Sequence, residues 1–146
     1  MARAHGVSAG GPAERGVADS IRREFGSAVI LYDGECPVCG EYLDLLKIRE
    51  LVDEVRLVNA RRRPDLVADL RAAGYEINDG IVLAHEGGIV YGASALSLIA
   101  QLGGTGRTFN RASAAVFRAP VIGEVLYAVL KAGRKLLLRL LGRGRI

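Results

Sequence analysis

A chain of 146 residues, half of them hydrophobic and only two of them cysteine, is long enough to bury one core without structural disulfides. Its net charge of +4 is uneven: residues 1–100 hold 11 basic and 15 acidic side chains, and residues 101–146 hold 9 basic and one acidic. The basic character therefore belongs to one segment, with no aromatics interleaved for base stacking, and nucleic acid is not an expected partner.

In chain order, "MARAHGVSAGGPAERGVADS" has no continuous apolar run, so a secretory signal is not expected and a reducing, cytoplasmic setting is. Residues 1–26, rich in Gly, Ala and charge, read as a disordered tail, with "VADSIRREF" as an optional short helix. "AVILY" (28–32) is an apolar run ending at Asp33-Gly34, the pattern of a strand buried on both faces. A helical period starts at Cys36, with Cys39, Tyr42, Leu43 and Leu46 on one face and Pro37 in the first turn, where its missing N–H costs nothing. "EVRLVNA" (54–60) reads as a second strand, and Pro64 opens a helix that Gly74 stops. "GIVLA" (80–84) and "IVYG" (89–92) read as a hairpin, followed by an amphipathic helix through Ala95, Leu98, Ile99 and Leu102. The longest uncharged stretch, residues 87–106, is broken by glycines and does not read as a membrane span.

The first two strands need a crossover and so are parallel, and the last two form a hairpin. The expected fold is α/β: a βαβαββα core over residues 27–104, with a mixed four-stranded sheet and helices on both faces. That order is the thioredoxin-like core in its glutaredoxin-sized form. Residues 105–146 form a basic helical extension packed on this core.

Cys36 and Cys39 fall at the start of the first core helix. The unpaired N–H groups and the positive end of the helix dipole there favour a thiolate, the form that attacks disulfides. Cys36 is expected to point outward as the nucleophile and Cys39 inward as the resolving thiol. Asp33, Glu35, Glu41 and Asp44 limit the activation to a modest fall in the Cys36 pKa. Three other fates stay open for the pair: inert apolar packing, a complete zinc site, or one Cys per subunit in a metal or iron–sulfur site shared across a dimer. The only other soft ligands are His5, in the tail, and His85, in the hairpin. No cofactor and no intrachain metal is expected.

"ILYDGECPVC" resembles the signature of the DCC thiol-disulfide oxidoreductase family, named for an Asp and two Cys, here Asp33, Cys36 and Cys39. Weaker similarity continues through "DGIVLAHEGGIVYGASAL" and "LYAVLKAGRKLLLRLLGR", so it covers about residues 28–142. The resemblance implies a thioredoxin-like fold and redox exchange with a protein or low-molecular-weight thiol or disulfide, through Asp33, Cys36 and Cys39. Tyr32, Gly34 and Pro37 flank the pair as expected substrate contacts. Thioredoxins and glutaredoxins carry a cis-proline before the third core strand. Here that stretch is "NDGIVL", and Gly80 is expected to allow a close backbone approach in its place. Asp33 has two compatible roles, accepting backbone N–H bonds in the turn and relaying the Cys39 proton.

Arg61, Arg62 and Arg63 follow the second strand and should emerge beside Cys36, with Arg61 able to offset the acidic neighbours or hold a substrate carboxylate such as that of glutathione. The segment 119–146 reads as a helix with Val121, Val125, Leu126 and Val129 on one face and a basic second half. It either packs on the core with a solvated basic tail or meets an anionic membrane or acidic partner. The competing functional class is accordingly a non-enzymatic thioredoxin-like module that binds through this helix.

Overall fold

Strand β1 (Val29–Tyr32) is central because it has no polar face to give to water: Val29, Ile30 and Leu31 are all fully buried. The computed structural model describes residues 11–45, 55–102, 111–112, 115–116 and 118–146. In it β1 pairs in parallel with β2 (Arg56–Asn59) and antiparallel with β3 (Val82–His85), which pairs antiparallel with β4 (Gly88–Tyr91). The sheet order is β2-β1-β3-β4, with Leu31 opposite Val58 on one side and Val82 on the other.

Alternation along β1 divides the core in two. Val29 and Leu31 face a cluster with Ala18, Ile21, Leu66 and Leu70, brought by α1 (Pro12–Phe25) and α3 (Pro64–Ala72). Ile30 faces the opposite way, toward Leu43 of α2 (Pro37–Leu45) and Ala95 and Ile99 of α4 (Ala93–Leu102). The result is the expected mixed four-stranded sheet with helices on both faces, a thioredoxin-like α/β fold. The expected position of Leu46 on the α2 stripe lies outside the described residues, as do His5 and the 104/105 boundary.

The expectation of a disordered tail through residue 26 gives way, over residues 12–25, to the full helix α1. Pro12 starts it, and Ala18 and Ile21 are buried against the sheet. Burial of a side chain such as Ile21 contributes roughly 2 kcal/mol, enough to order a helix whose composition alone suggests a tail. The buried Glu14 accepts a hydrogen bond from Tyr75 Oη, which gives the only buried carboxylate of α1 a partner.

In the long helix α5 (Pro120–Leu140), three of the four basic residues turn to the domain where a solvated basic tail was expected, and only Arg139 is exposed. Lys131 and Lys135 reach Asp79 at 3.1 and 2.7 Å, and Arg134 is buried. The chain then runs back over the domain. Gly144 O accepts from Arg61 at 2.7 Å, and the backbone of Ile146 exchanges hydrogen bonds with the Asn78 side chain at 2.7 and 3.0 Å.

Candidate active site

The turn after β1 is built by its own polar groups. Asp33 O accepts from Cys36 N at 3.0 Å, and Asp33 Oδ1 accepts from Glu35 N at 3.0 Å, a local bond typical of Asp in turns. Asn59, at the end of β2, accepts from Gly34 N at 3.1 Å and from Arg61 N at 3.0 Å, tying the two loops at this sheet edge together. A Cβ at Gly34 would overlap the Asn59 side chain, so close approach requires glycine here. Pro37 opens α2, and Cys36 O accepts the first helical bond, from Gly40 N at 3.2 Å.

The burial of the two thiols is the reverse of the expectation. Cys36 is 2% exposed, and Cys39 is half-buried. The cause is α5, which lays Arg134 over the first sulfur. Arg134 Nε donates to Cys36 Sγ at 3.2 Å, Nη2 donates to Asp33 Oδ2 at 3.1 Å, and Nη1 donates to the Asn78 carbonyl. Asp33, its side chain 1% exposed, also takes Arg61 Nε at 2.6 Å and Nη2 at 3.2 Å. A sulfur, a carboxylate and two guanidiniums thus form one buried network, and Arg143 adds a hydrogen bond to the Glu35 carbonyl.

The network sets the protonation states. A hydrogen bond from the Cys39 thiol, the Cys39 backbone amide and the cationic Arg134 outweigh burial and pull Cys36 down to about 6. This depression is larger than the acidic neighbours alone would permit. Cys39 moves the other way, pushed up by donating to Cys36 and by burial, so it holds its proton while Cys36 is a thiolate. Burial works to raise the Asp33 carboxyl, but hydrogen bonds from Arg61 and the Glu35 amide, with the charges of both arginines, hold it below the usual range. A carboxylate held ionised in this way is a poor acceptor for the Cys39 proton.

Of the expected site residues, the structure brings Asp33, Gly34, Cys36, Pro37, Cys39 and Arg61 together at one sheet edge. Tyr32 is different: its side chain packs with the cluster around Ile30 and Leu83. Of the three arginines only Arg61 turns to the dithiol, also lying 3.5 Å from Glu35. Arg63 pairs with Glu24 and Asp65 and lies 5.0 Å over the Phe25 ring, while Arg62 is exposed. Among the described residues, no three His, Cys, Asp or Glu side chains come together in a metal-binding group. His85 instead accepts from Gly87 N at 3.1 Å in the hairpin turn.

Gly80 does permit a close approach, but by the protein itself. Tyr127 of α5 lies against it and donates to the Asp79 carbonyl at 3.0 Å, so the edge where a cis-proline would shape a groove is covered. Beside it a cavity of about 120 Å3 is lined by Val38, Cys39, Tyr42, Leu96, Tyr127 and Leu130, which are mostly apolar. A Cβ at Gly80 would overlap the Tyr127 hydroxyl and come within 3.0 Å of the Tyr91 ring. Gly80→Ala should displace Tyr127 and loosen α5. The alkylation rate of Cys36 by iodoacetamide should then rise severalfold at a pH where the thiolate is fully formed, and an unchanged rate would show that α5 keeps its seat.

Arg134, Tyr127, Asn78, Asn59 and Arg143 did not stand out in the sequence. One signal was there: Tyr127 and Arg134 are seven residues apart, two helical turns, and so share a face of α5. A basic residue sharing a face with a bulky aromatic points inward more readily than the surrounding Lys/Leu alternation suggests.

No curated protein and no solved structure matches the chain. A family model described as DCC1-like thiol-disulfide oxidoreductase matches residues 30–140, a span that starts in β1, takes in the dithiol turn and ends with the last residue of α5. The chain therefore belongs to the DCC1-like thiol-disulfide oxidoreductase family.

Proposed function

We propose that the protein is a dithiol–disulfide oxidoreductase in which Cys36 is the nucleophile and Cys39 the resolving thiol. The observation that carries this reading is the Arg134 guanidinium 3.2 Å from a Cys36 sulfur that also accepts from Cys39, an arrangement that favours the thiolate. In the forward half-reaction the Cys36 thiolate attacks one sulfur of a substrate disulfide. The substrate S–S bond breaks, a mixed disulfide forms, and the leaving thiolate takes a proton from solvent. Cys39 then loses its proton to solvent and attacks the Cys36 sulfur, which releases the second substrate thiol. The two electrons come from the dithiol, and an external thiol reductant returns the Cys36–Cys39 disulfide to the reduced state.

Arg134 and Asp33 act here as positioning groups. Asp33 holds the guanidinium and Arg134 holds the thiolate, while Arg61 keeps Asp33 ionised. Because Cys36 is buried under Arg134, a substrate sulfur reaches it only when this side chain, and with it part of α5, moves aside.

Turnover of a model disulfide tests the reading. Cys36→Ser should abolish it, and Cys39→Ser should stop after the first attack and accumulate a mixed disulfide visible by mass spectrometry. Equal reduction by both variants and the intact protein would sink the enzyme reading. Absence of turnover in the intact protein would favour the competing one, a thioredoxin-like binding module, which the burial of Cys36 also suits.

A further inference from the structure

Helix α5 has two faces, and the wrong one for a surface helix points outward. Its inner face carries Tyr127, Lys131, Arg134 and Lys135, whose polar atoms all meet the domain. Its outer face carries Val121, Ile122, Val125, Val129, Leu136 and Leu140, with exposures running from 59% at Leu136 to 76% at Leu140. Residues 121, 125, 129, 136 and 140 fall on one side of a helix about 30 Å long. Scattered exposed apolar residues are ordinary, but a continuous stripe of this length marks a surface that something covers.

We infer that this face of α5 docks on an anionic lipid bilayer, with the helix lying in the interface. Charge decides the occupant. Arg118, just before the helix, and Arg139 and Arg145, at its far end, are exposed and flank the stripe, and Glu124 is the only acidic residue after position 100. A second copy on the same face would set the exposed Arg118 and Arg139 of one helix against those of the other, with Glu124 the only acidic residue after position 100 to offset them, and these charges repel. An anionic bilayer takes both parts. The aliphatic side chains enter the headgroup boundary, and the arginines meet phosphates with their stems along the apolar surface. Among the described residues no helix is long and apolar enough to cross a membrane, so the contact is peripheral. This inference does not depend on the thiol chemistry.

The test is co-sedimentation of the full chain with vesicles of phosphatidylcholine alone or with one third phosphatidylglycerol, at low and high salt. The full chain should bind the anionic vesicles strongly at low salt and the neutral ones weakly. Val125→Asp with Val129→Asp should lower binding at least tenfold, while the circular dichroism spectrum and the Cys36 alkylation midpoint stay unchanged. Arg118→Gln with Arg139→Gln should remove most of the salt dependence. Substitution is the proper probe here, because deleting residues 131–146 would also remove Arg134 from the dithiol. Failure of the full chain to bind anionic vesicles at low salt would overturn the inference, as would equal binding by the aspartate variant. A dimer that the aspartate variant splits, with no vesicle binding, would overturn it in favour of a second copy.

Discussion

Cys36 should alkylate with a midpoint near pH 6, and Cys39→Ala should move that midpoint up by at least one unit. The Cys39 hydrogen bond is the largest of the effects that lower Cys36, so its loss returns the thiol toward the ordinary value near 8.5. At pH 7 the thiolate fraction then falls from about nine tenths to a few per cent, by the definition of pKa. The greater nucleophilicity of a more basic thiolate offsets most of this, which leaves a loss of about two- to threefold in rate at pH 7. Arg134→Gln should give a different signature. Losing the cation raises the midpoint by a smaller amount, and losing the cover raises the plateau rate at high pH. A midpoint near 8.5 in the intact protein would mean that the buried network does not activate the thiol.

The same shift makes stability depend on pH. A thiol whose folded pKa lies below its unfolded value contributes stability that is fully present above the unfolded value and is lost as pH falls through the folded one. The reduced protein should therefore gain stability over Cys36→Ser between about pH 6 and 8.5, and urea unfolding at both ends of that window measures it.

The sheet and its connections were legible because each strand is a short apolar run bounded by turn residues, and these local signals all agree with the global topology. The position of the dithiol was legible for the same reason: "YDGECPVC" joins a buried strand to a proline-started helix. Its cover was not. The Lys/Leu alternation of residues 131–141 does not by itself say which face meets the domain, and only the two-turn spacing of Tyr127 and Arg134 points to it. The composition of "AGRKLLLRLL" suggests a helix with leucines in and charges out. For Arg134 and Lys135 the opposite arises because the surface they land on is acidic and polar, made of Asp33, Asp79 and the Asn78 carbonyl, and the two carboxylates need cations beside them once buried. The exposure expected for Cys36 was wrong for that reason, since Arg134 is 98 positions away in the chain. Of helix α1 only "VADSIRREF" was legible, as a short helix in a tail, because the Gly, Ala and charge content of the segment hides the short apolar stripe through Ala18 and Ile21.

Asp33→Asn should lower stability by about 3 kcal/mol at neutral pH, because it removes the carboxylate shared by Arg61 and the buried Arg134. For a chain of this size that corresponds to a melting temperature lower by roughly 6–12 °C. The loss should be full above the ordinary Asp pKa and should shrink as pH falls below it, since the wild-type carboxyl, held below that value, then protonates as well. The effect on Cys36 separates the roles open to Asp33. If the carboxylate were only a nearby negative charge, its removal would lower the Cys36 midpoint. If it relayed the Cys39 proton, the midpoint would stay near 6 and the mixed disulfide would accumulate. A positioning role predicts a third outcome: Arg134 drifts from the sulfur, and the midpoint rises although a negative charge has been removed. Arg61→Gln should move the midpoint in the same direction and by less, because Arg61 touches Asp33 and not the sulfur. A fall in the midpoint of Asp33→Asn would end the positioning reading, whatever the variant does to stability.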